Sequence, residues 1–498
     1  METTEVVRDL TQGNVTRTML NFAGPLFFSS LLQTCYNLAD MMIVGRFIGR
    51  EGLAAVAVGS DVMIFLSFVA MGFSNAGQVI VSQYVGAGLR EKVTALIGTM
   101  LAFLSLCALC LTGAGMLFQA SILRWLHTPV EAWDFTRDYT FICMGGLIFV
   151  YIYNALSAAL RGLGDSRHPF YFIVASTTLN ILLDLLFVIR FNLRVVGVAL
   201  ATVISQAVCC ALAVTFVYRH GDRIGFGFRR REFIIDRGVL IPFLKLGIPM
   251  MLQLASIDFS KLFVNAWINT YGVLATAMTG IGNKVSSVVN VVNISLSTAG
   301  SSMIGQCIGG GKYDRVPRIV GVSFVINIAI SLVMGAATVF FPQFVFGMFT
   351  DDAEVLLLAI RYIPIALLLF AGSALRPPMS SLINGSGNFK LNLLVALLDG
   401  VVMRVGLSLL LGLTIGLGVC GFWYGNAFAS FTPFVIGGIY FLSGRWRTNK
   451  YLLAHRQSRE KIISSHHSAK LSQGEKLRSL PLISASRVRN DGLTGQPR

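Results

Sequence analysis

The sequence predicts an all-α integral membrane protein of about twelve transmembrane helices in two six-helix lobes. Three observations predict it. The 498-residue chain is 54% hydrophobic and 13% charged, with a mean hydropathy of +0.70; an average globular chain carries about 25% charge, and a soluble protein this apolar could not cover its own surface. Apolar runs of about 20 residues, long enough to cross a bilayer as helices, recur along it without the alternation of β-barrel strands. Finally, its motifs occur twice. Met19-Leu-Asn-Phe-Ala-Gly-Pro25 returns as Phe243-Leu-Lys-Leu-Gly-Ile-Pro249, Gln83-Tyr-Val-Gly-Ala-Gly88 as Gln306-Cys-Ile-Gly-Gly-Gly311, and Leu160-Arg-Gly-Leu-Gly164 as Ile383-Asn-Gly-Ser-Gly387. The offsets are 249 − 25 = 224, 306 − 83 = 223 and 385 − 162 = 223. Two like halves in a hydrophobic chain point to a transporter with its pathway between them.

The elements follow in order. The chain starts polar and partly acidic, Met1-Glu-Thr-Thr-Glu-Val-Val-Arg-Asp9, without the basic n-region or small-residue cleavage site of a signal peptide, so the first span, near 16–45, is expected in the mature protein. Spans near 53–82 and 93–118 flank a loop with Arg90 and Lys92; spans near 134–160 and 168–190 flank Arg161 and Arg167. The sixth, near 195–218, runs into a segment with Arg219, Arg223, Arg229, Arg230, Arg231 and Arg237. The second half supplies spans near 240–270, 274–306, 317–341, 354–383, 389–412 and 417–443, with Lys312, Arg315 and Arg318 between the eighth and ninth. Loops on the other side are poorer in cations: 269–273 and 412–418 have none, and Thr350-Asp-Asp-Ala-Glu354 is acidic, although Arg46, Arg50, Arg190 and Arg194 dissent. The positive-inside rule then places both termini in the cytoplasm.

This reading divides the chain into a first lobe (1–218), an inter-lobe linker (219–239), a second lobe (240–444) and a tail (445–498). The linker mixes arginines with Phe226, Phe228, Phe233 and Ile234, as expected of a segment lying at the cytoplasmic membrane surface. The Ser-rich basic tail has no periodicity and is expected to be disordered. The net charge of +16 does not indicate nucleic-acid binding, because the cations gather in alternate loops and the tail. All eight cysteines lie in apolar stretches and read as buried small hydrophobes; Cys107 and Cys110 have a metal-like spacing but no second pair. The glycine pairs Gly162/Gly164 and Gly385/Gly387 and the run Gly309-Gly-Gly-Lys312 open no helix after a strand, so they read as turns at the membrane surface rather than phosphate cradles.

A charge at mid-membrane costs about 2.5–3.5 kcal/mol on insertion scales, so charges inside spans mark function by default. Asp40 and Asp184 both sit within apolar helices. Tyr36 is four residues before Asp40 and Asn180 four before Asp184, one helical face in each case. A carboxylate and an amide oxygen so placed could share a small hard cation; alternatively, burial favours the protonated carboxyl and makes it a proton carrier. A static hydrogen-bond network joining helices is the third reading. Thr202, Ser205, Gln206, Tyr139 and Asn154 add polar groups nearby. Asp61, Asp258, Lys261, Lys284, Arg376, Asp399 and Arg404 are further charges within spans. Asp258 and Lys261 are three apart and can pair; Asp399 and Arg404 are five apart, off a common α-helical face, and need outside partners. Arg376 and Arg404 are placed near an interface, snorkelling.

Several motifs together carry a resemblance: Leu38-Ala-Asp-Met-Met-Ile-Val-Gly45 with Gly52-Leu-Ala-Ala55, Gln83-Tyr-Val-Gly-Ala-Gly88, Ala159-Leu-Arg-Gly-Leu-Gly-Asp165, Asn180 with Asp184, Gly197-Val-Ala-Leu-Ala-Thr202, and Gln306-Cys-Ile-Gly-Gly-Gly-Lys312. In order and spacing, over roughly residues 10–445, the chain resembles a multidrug and toxic compound extrusion (MATE) transporter of the prokaryotic DinF-like branch. The resemblance implies a central cleft between the lobes and a secondary antiporter rather than an enzyme. It further implies export of amphipathic, often cationic compounds against inward H⁺ or Na⁺, without a cofactor, from a monomer in the inner (plasma) membrane. It places the cation-coupling site on Asp40, Asn180 and Asp184, with Na⁺ at Asn180 and Asp184 as the metal option and Tyr36, Tyr139, Asn154 and Thr202 as the supporting network. A seventh-span acid used in another branch falls near Asp258. A flippase for a lipid-linked oligosaccharide or peptidoglycan precursor is the alternative; it needs Lys261, Lys284, Arg376 and Arg404 to line the pathway. An intramembrane enzyme would need a carboxylate cluster or a His–acid pair in a span, and neither is seen. The scaffold repeats but the acids do not: Asp40 maps onto Val264 (40 + 224) and Asp184 onto Leu407 (184 + 223).

Overall fold

The computed structural model describes residues 7–448, whose regular elements are all helical, with no strand among them. Twelve long helices follow in order: α1 (Val15–Phe47), α2 (Arg50–Gly86), α3 (Arg90–Trp125), α4 in two pieces (Val130–Gly145 and Leu147–Gly162) bent by 46°, α5 (Arg167–Arg190), α6 (Arg194–Arg219), α7 (Arg237–Asn269), α8 (Val273–Gly309), α9 (Arg315–Phe340), α10 (Ala353–Gly385), α11 (Phe389–Thr414) and α12 (Val419–Leu442). Ten of them, and the bent pair taken together, are long and apolar enough to cross a membrane. The remaining one, α1, is 33 residues long and carries Gln33, Thr34, Asn37, Asp40 and Arg46 in its second half. α1–α6 and α7–α12 are the two lobes. Polar side chains at membrane ends start several helices by accepting orphan backbone N–H bonds: Asn14 from Arg17, Asp236 from Gly238, Asp352 from Glu354 and Val355, and Asn388 from Leu391.

The lobes interlock through their first two helices. α7 packs across α2, where a Cβ on Gly72 would overlap Met251 and one on Gly247 would overlap the Phe73 ring. α1 packs across α8, with Met19, Phe22 and Leu26 in one core cluster with Leu296 and Met303. At one end α2 and α8 meet backbone to backbone: a Cβ on Gly86 would overlap the Gln306 carbonyl, and one on Gly309 the Gln83 carbonyl. Two hydrogen bonds related by the repeat close this end. Gln83 Nε2 donates to Gly385 O at 2.7 Å and Gln306 Nε2 to Gly162 O at 3.1 Å. Segment 8–13 lies over the junction. Arg8 N donates to Leu163 O (2.9 Å), Leu10 N to Gln306 Oε1 (2.8 Å), Lys312 Nζ to Thr11 Oγ1 (2.6 Å) and Arg315 to the Gln12 and Gly13 carbonyls. Burial tends to raise the Asp9 carboxyl, but bonds from Thr11 and Gln12 and the Lys312 charge outweigh it and hold Asp9 below its ordinary value.

Several expectations change. The 219–239 linker packs on the first lobe: Phe226 is fully buried and forms an aromatic cluster with Phe228 and Phe233, and a Cβ on Gly98 of α3 would overlap Glu232 O. The first residues assigned to a disordered tail form a 3-10 turn, Arg445–Thr448, with Trp446 buried against Phe441 and Tyr313; the rest of that tail lies outside the described residues. Of the cysteines read as buried, Cys143, Cys209, Cys210 and Cys307 are, whereas Cys35 and Cys110 are exposed.

Three π-helical turns interrupt the fold: Leu186–Arg190 at the end of α5, and Leu398–Met403 and Leu410–Thr414 in α11. The first and last are repeat mates (410 − 186 = 224). Leu398–Met403 has no mate, since residues 175–180 are ordinary α-helix.

Candidate functional site

The two first-lobe acids, 144 residues apart in sequence (184 − 40), meet inside the lobe. α1 supplies Asp40, α5 supplies Asn180 and Asp184, and α6 supplies Thr202; each is buried, Asp184 completely. The Asn180 amide joins them: in the orientation that its neighbours' donors and acceptors require, its nitrogen donates to Asp40 Oδ1 and to Asp184 Oδ2, both at 3.2 Å, and its oxygen accepts from Thr202 N at 3.3 Å. The Tyr36 phenol lies beside Asp40 and Thr202. Asp184 Oδ1 is buried without a donor, and the Asp40 and Asp184 carboxyl groups lie within hydrogen-bonding reach of each other. Among the described residues no Lys, Arg or His forms an ion pair with either acid. Two such carboxylates cannot both remain bare in a medium of low polarity; the set requires a proton, a cation or both. A cavity of about 260 Å³ opens beside it, lined by Tyr36, Asn37, Tyr153, Asn154, Ser176 and Asn180 among others. Tyr139 is buried on α4 against Gly59 of α2, behind Tyr36. Asn154 faces the cavity but spends its amide on Val150 O, one turn back (2.8 Å), rather than on the acids.

The second lobe holds a different constellation. Asp399 is fully buried on α11 and pairs with two guanidinium groups: it accepts from Arg404 of α11 at 3.1 Å and lies 2.9 Å from Arg376 of α10 as an ion pair. Arg404 also donates to Asn426 of α12. The expectation that Asp399 and Arg404 face apart fails because the Leu398–Met403 π turn is wider, and i,i+5 residues stack there. Nor do the two arginines snorkel: both point to the carboxylate within the lobe. Asp258 pairs with Lys261 on α7 at 3.3 Å, both about half exposed, and so is not a lone acid. Lys284 is exposed on α8.

A family model described as MatE matches residues 25–186 and 249–409. The chain belongs to the MatE family. Its members are membrane transporters and not enzymes, and the two matched segments are the two repeats. Among MatE relatives, the Bacillus subtilis "Probable multidrug resistance protein YoeA" is 29% identical over 436 residues, covering 85% of this chain and 94% of that one. The solved structure described as the outward-facing conformation of a multidrug resistance MATE family transporter of the MOP superfamily aligns with a TM-score of 0.81 at 24% identity, covering 91% of this chain and 99% of that one. A MOP superfamily transporter from Pyrococcus furiosus aligns at 0.79 and 23%, with the same coverage. Other contacts of this MatE chain carry little signal in the sequence. Gln83 and Gln306 were visible as repeated motif positions, but nothing local marked them as bonds between lobes. Gln78 likewise bridges, donating to Ser302 Oγ at 2.8 Å while accepting from Arg161 at 2.8 Å. Asn426 had no signal beyond being an amide in an apolar span.

Proposed function

We propose that this chain is a secondary antiporter that exports amphipathic, cationic small molecules, a multidrug efflux activity, in exchange for H⁺ or Na⁺ bound at Asp40, Asn180 and Asp184. The observation that carries the reading is the pair of buried carboxylates bridged by one amide with no basic partner. A proton or Na⁺ satisfies that set when bound, and the Asp184 oxygen left without a donor offers it a ligand. The name of the Bacillus relative points to the same cargo class. α1 carries both Asp40, within the site, and Met19, Phe22 and Leu26 on α8. Loading the site therefore acts on a helix that belongs to the inter-lobe contact. Ion and cargo exchange through the two lobe arrangements, each favouring the one it binds more tightly. By the positive-inside rule the closed end, which carries Arg90, Arg167, Lys312 and Arg315, is cytoplasmic, as are both termini, in a monomer of the inner (plasma) membrane. The flippase alternative is not favoured, because Arg376 and Arg404 share Asp399 and Lys261 faces Asp258, which leaves one surplus positive charge rather than a basic cleft.

The test is efflux of a fluorescent cationic dye from proteoliposomes, driven separately by a pH gradient and by a Na⁺ gradient. Asp40→Asn and Asp184→Asn are each expected to reduce gradient-driven efflux at least about tenfold, the scale of one lost charge-assisted interaction. Undiminished coupling in both variants would remove the site assignment.

A further inference from the structure

The repeat places the second-lobe charges with some precision. Lys261 is the mate of Asn37 (261 − 37 = 224), Arg376 of Tyr153 (376 − 153 = 223) and Asp399 of Ser176 (399 − 176 = 223). All three first-lobe mates line the first-lobe cavity. At corresponding positions, one lobe therefore carries uncharged polar groups beside an acid pair, and the other carries charges. The charges do not balance: Lys261, Arg376 and Arg404 stand against Asp258 and Asp399, three cations to two carboxylates. Ser260, next to Lys261, donates to the carbonyl of Gly400, next to Asp399, so α7 at Lys261 packs against α11 at the Arg376–Asp399–Arg404 group. Arg404 is 4% exposed, and its Nε has no hydrogen-bond partner. Arg376 is 25% exposed and Lys261 50%, so the surplus is accessible from outside the cluster. The π turn that seats Asp399 over Arg404 is the one with no mate in the first lobe, so this departure from the repeat coincides with the cluster. An unbalanced charge at membrane depth is costly unless a ligand uses it.

We propose that Lys261 and Arg376, backed by Arg404, form a site for one anionic group, a carboxylate or a phosphate, on an amphipathic cargo. Asp399 holds the two guanidinium groups in place, and Asp258 competes with the ligand for Lys261. This rests on the antiport reading only for the cargo's passage; binding at equilibrium, without a gradient, tests it separately.

The experiment uses the full chain in phosphatidylcholine nanodiscs and four dansylated decyl probes that differ only in their ends: carboxylate, phosphate, trimethylammonium and hydroxyl. Binding is read by fluorescence after subtracting partition into empty nanodiscs. At least one anionic probe is expected to bind about tenfold or more tightly than the hydroxyl probe, the scale of one charge-assisted contact. Lys261→Gln should abolish that margin, Lys261→Arg retain it and Asp258→Asn widen it. Both residues are half exposed, and a variant that merely misfolded would not bind more tightly. Anionic and hydroxyl probes binding alike, or Lys261→Gln and Asp258→Asn failing to move the margin in opposite directions, would overturn the proposal.

Discussion

Asp399 has no exposure and two guanidinium partners. Replacing it by Asn leaves Arg376 and Arg404 facing each other beneath the protein surface without a counter-charge. Removing one member of a buried charge set costs about 3–5 kcal/mol, so Asp399→Asn is expected to lower the thermal midpoint of the purified protein clearly. Lys261→Gln breaks an exposed pair of the kind that contributes about 1 kcal/mol or less and should barely shift it. Equal midpoints for the two variants would contradict this ordering. The same residues mark what was legible at this scale. Asp40, Asn180 and Asp184 stood out because carboxylates and an amide interrupt apolar runs, and a charge there needs a reason. Their meeting through the Asn180 amide was not readable, since it depends on how α1 and α5 are placed. The Asp399–Arg404 bond was read the wrong way, because i,i+3 and i,i+4 spacing assumes an α-helix and the chain is π-helical there.

The long helices were the most legible elements. All twelve spans read from hydropathy have a helix at the expected place, because the need to satisfy every backbone group in lipid leaves an apolar run of that length little alternative. Interruptions within helices were less legible: the bend in α4 falls at the Gly145-Gly146 pair, but the π turns of α5 and α11 do not announce themselves in composition. The tight crossing of α2 and α8 was half legible: the run from Gly309 reads as a turn, which holds at Gly311, whereas Gly309 itself is helical and, like Gly86, admits the carbonyl of the opposite helix. That crossing yields an element-scale prediction. Gly309→Ala puts a methyl group where the Gln83 carbonyl sits, and overpacking of this kind costs about 1–3 kcal/mol. Gly113, in α3, has open space around its Cβ position, so Gly113→Ala should stabilise by roughly 0.5–1 kcal/mol through helix propensity alone. Thermal unfolding of the two variants should therefore shift in opposite directions. A Gly309→Ala protein as stable as its parent would mean that the two helices are free to separate.

At the scale of the whole molecule, scaffold and chemistry obey different symmetries. The repeat is kept in the helix order, in the first-helix-on-second-helix exchange between lobes and in the Gln83/Gln306 pair; it is broken where the charges are. A duplicated frame supplies two equivalent surfaces that can lie against each other, while the buried polar and charged contents differ from lobe to lobe. The closed end is then a joint that has to open during transport, and its bonds should be few and reversible. Two amide bonds related by the repeat, with segment 8–13 bonded to Gln306 on one side and Leu163 on the other, fit that requirement. A net hydrogen bond contributes about 1 kcal/mol, so removing both side chains in a Gln83→Ala, Gln306→Ala protein should shift the closed–open balance about ten- to thirtyfold toward open without unfolding either lobe. Hydrogen exchange followed by mass spectrometry reads this directly. Peptides spanning segment 8–13 and the ends of α2 and α8 should exchange faster in the double variant, while peptides of α3 and α9, which take no part in the joint's amide bonds, keep their rates. Acceleration across all helices would instead mean general destabilisation, and unchanged exchange at the joint would show that the backbone crossing of α2 and α8 holds the lobes together without the glutamines.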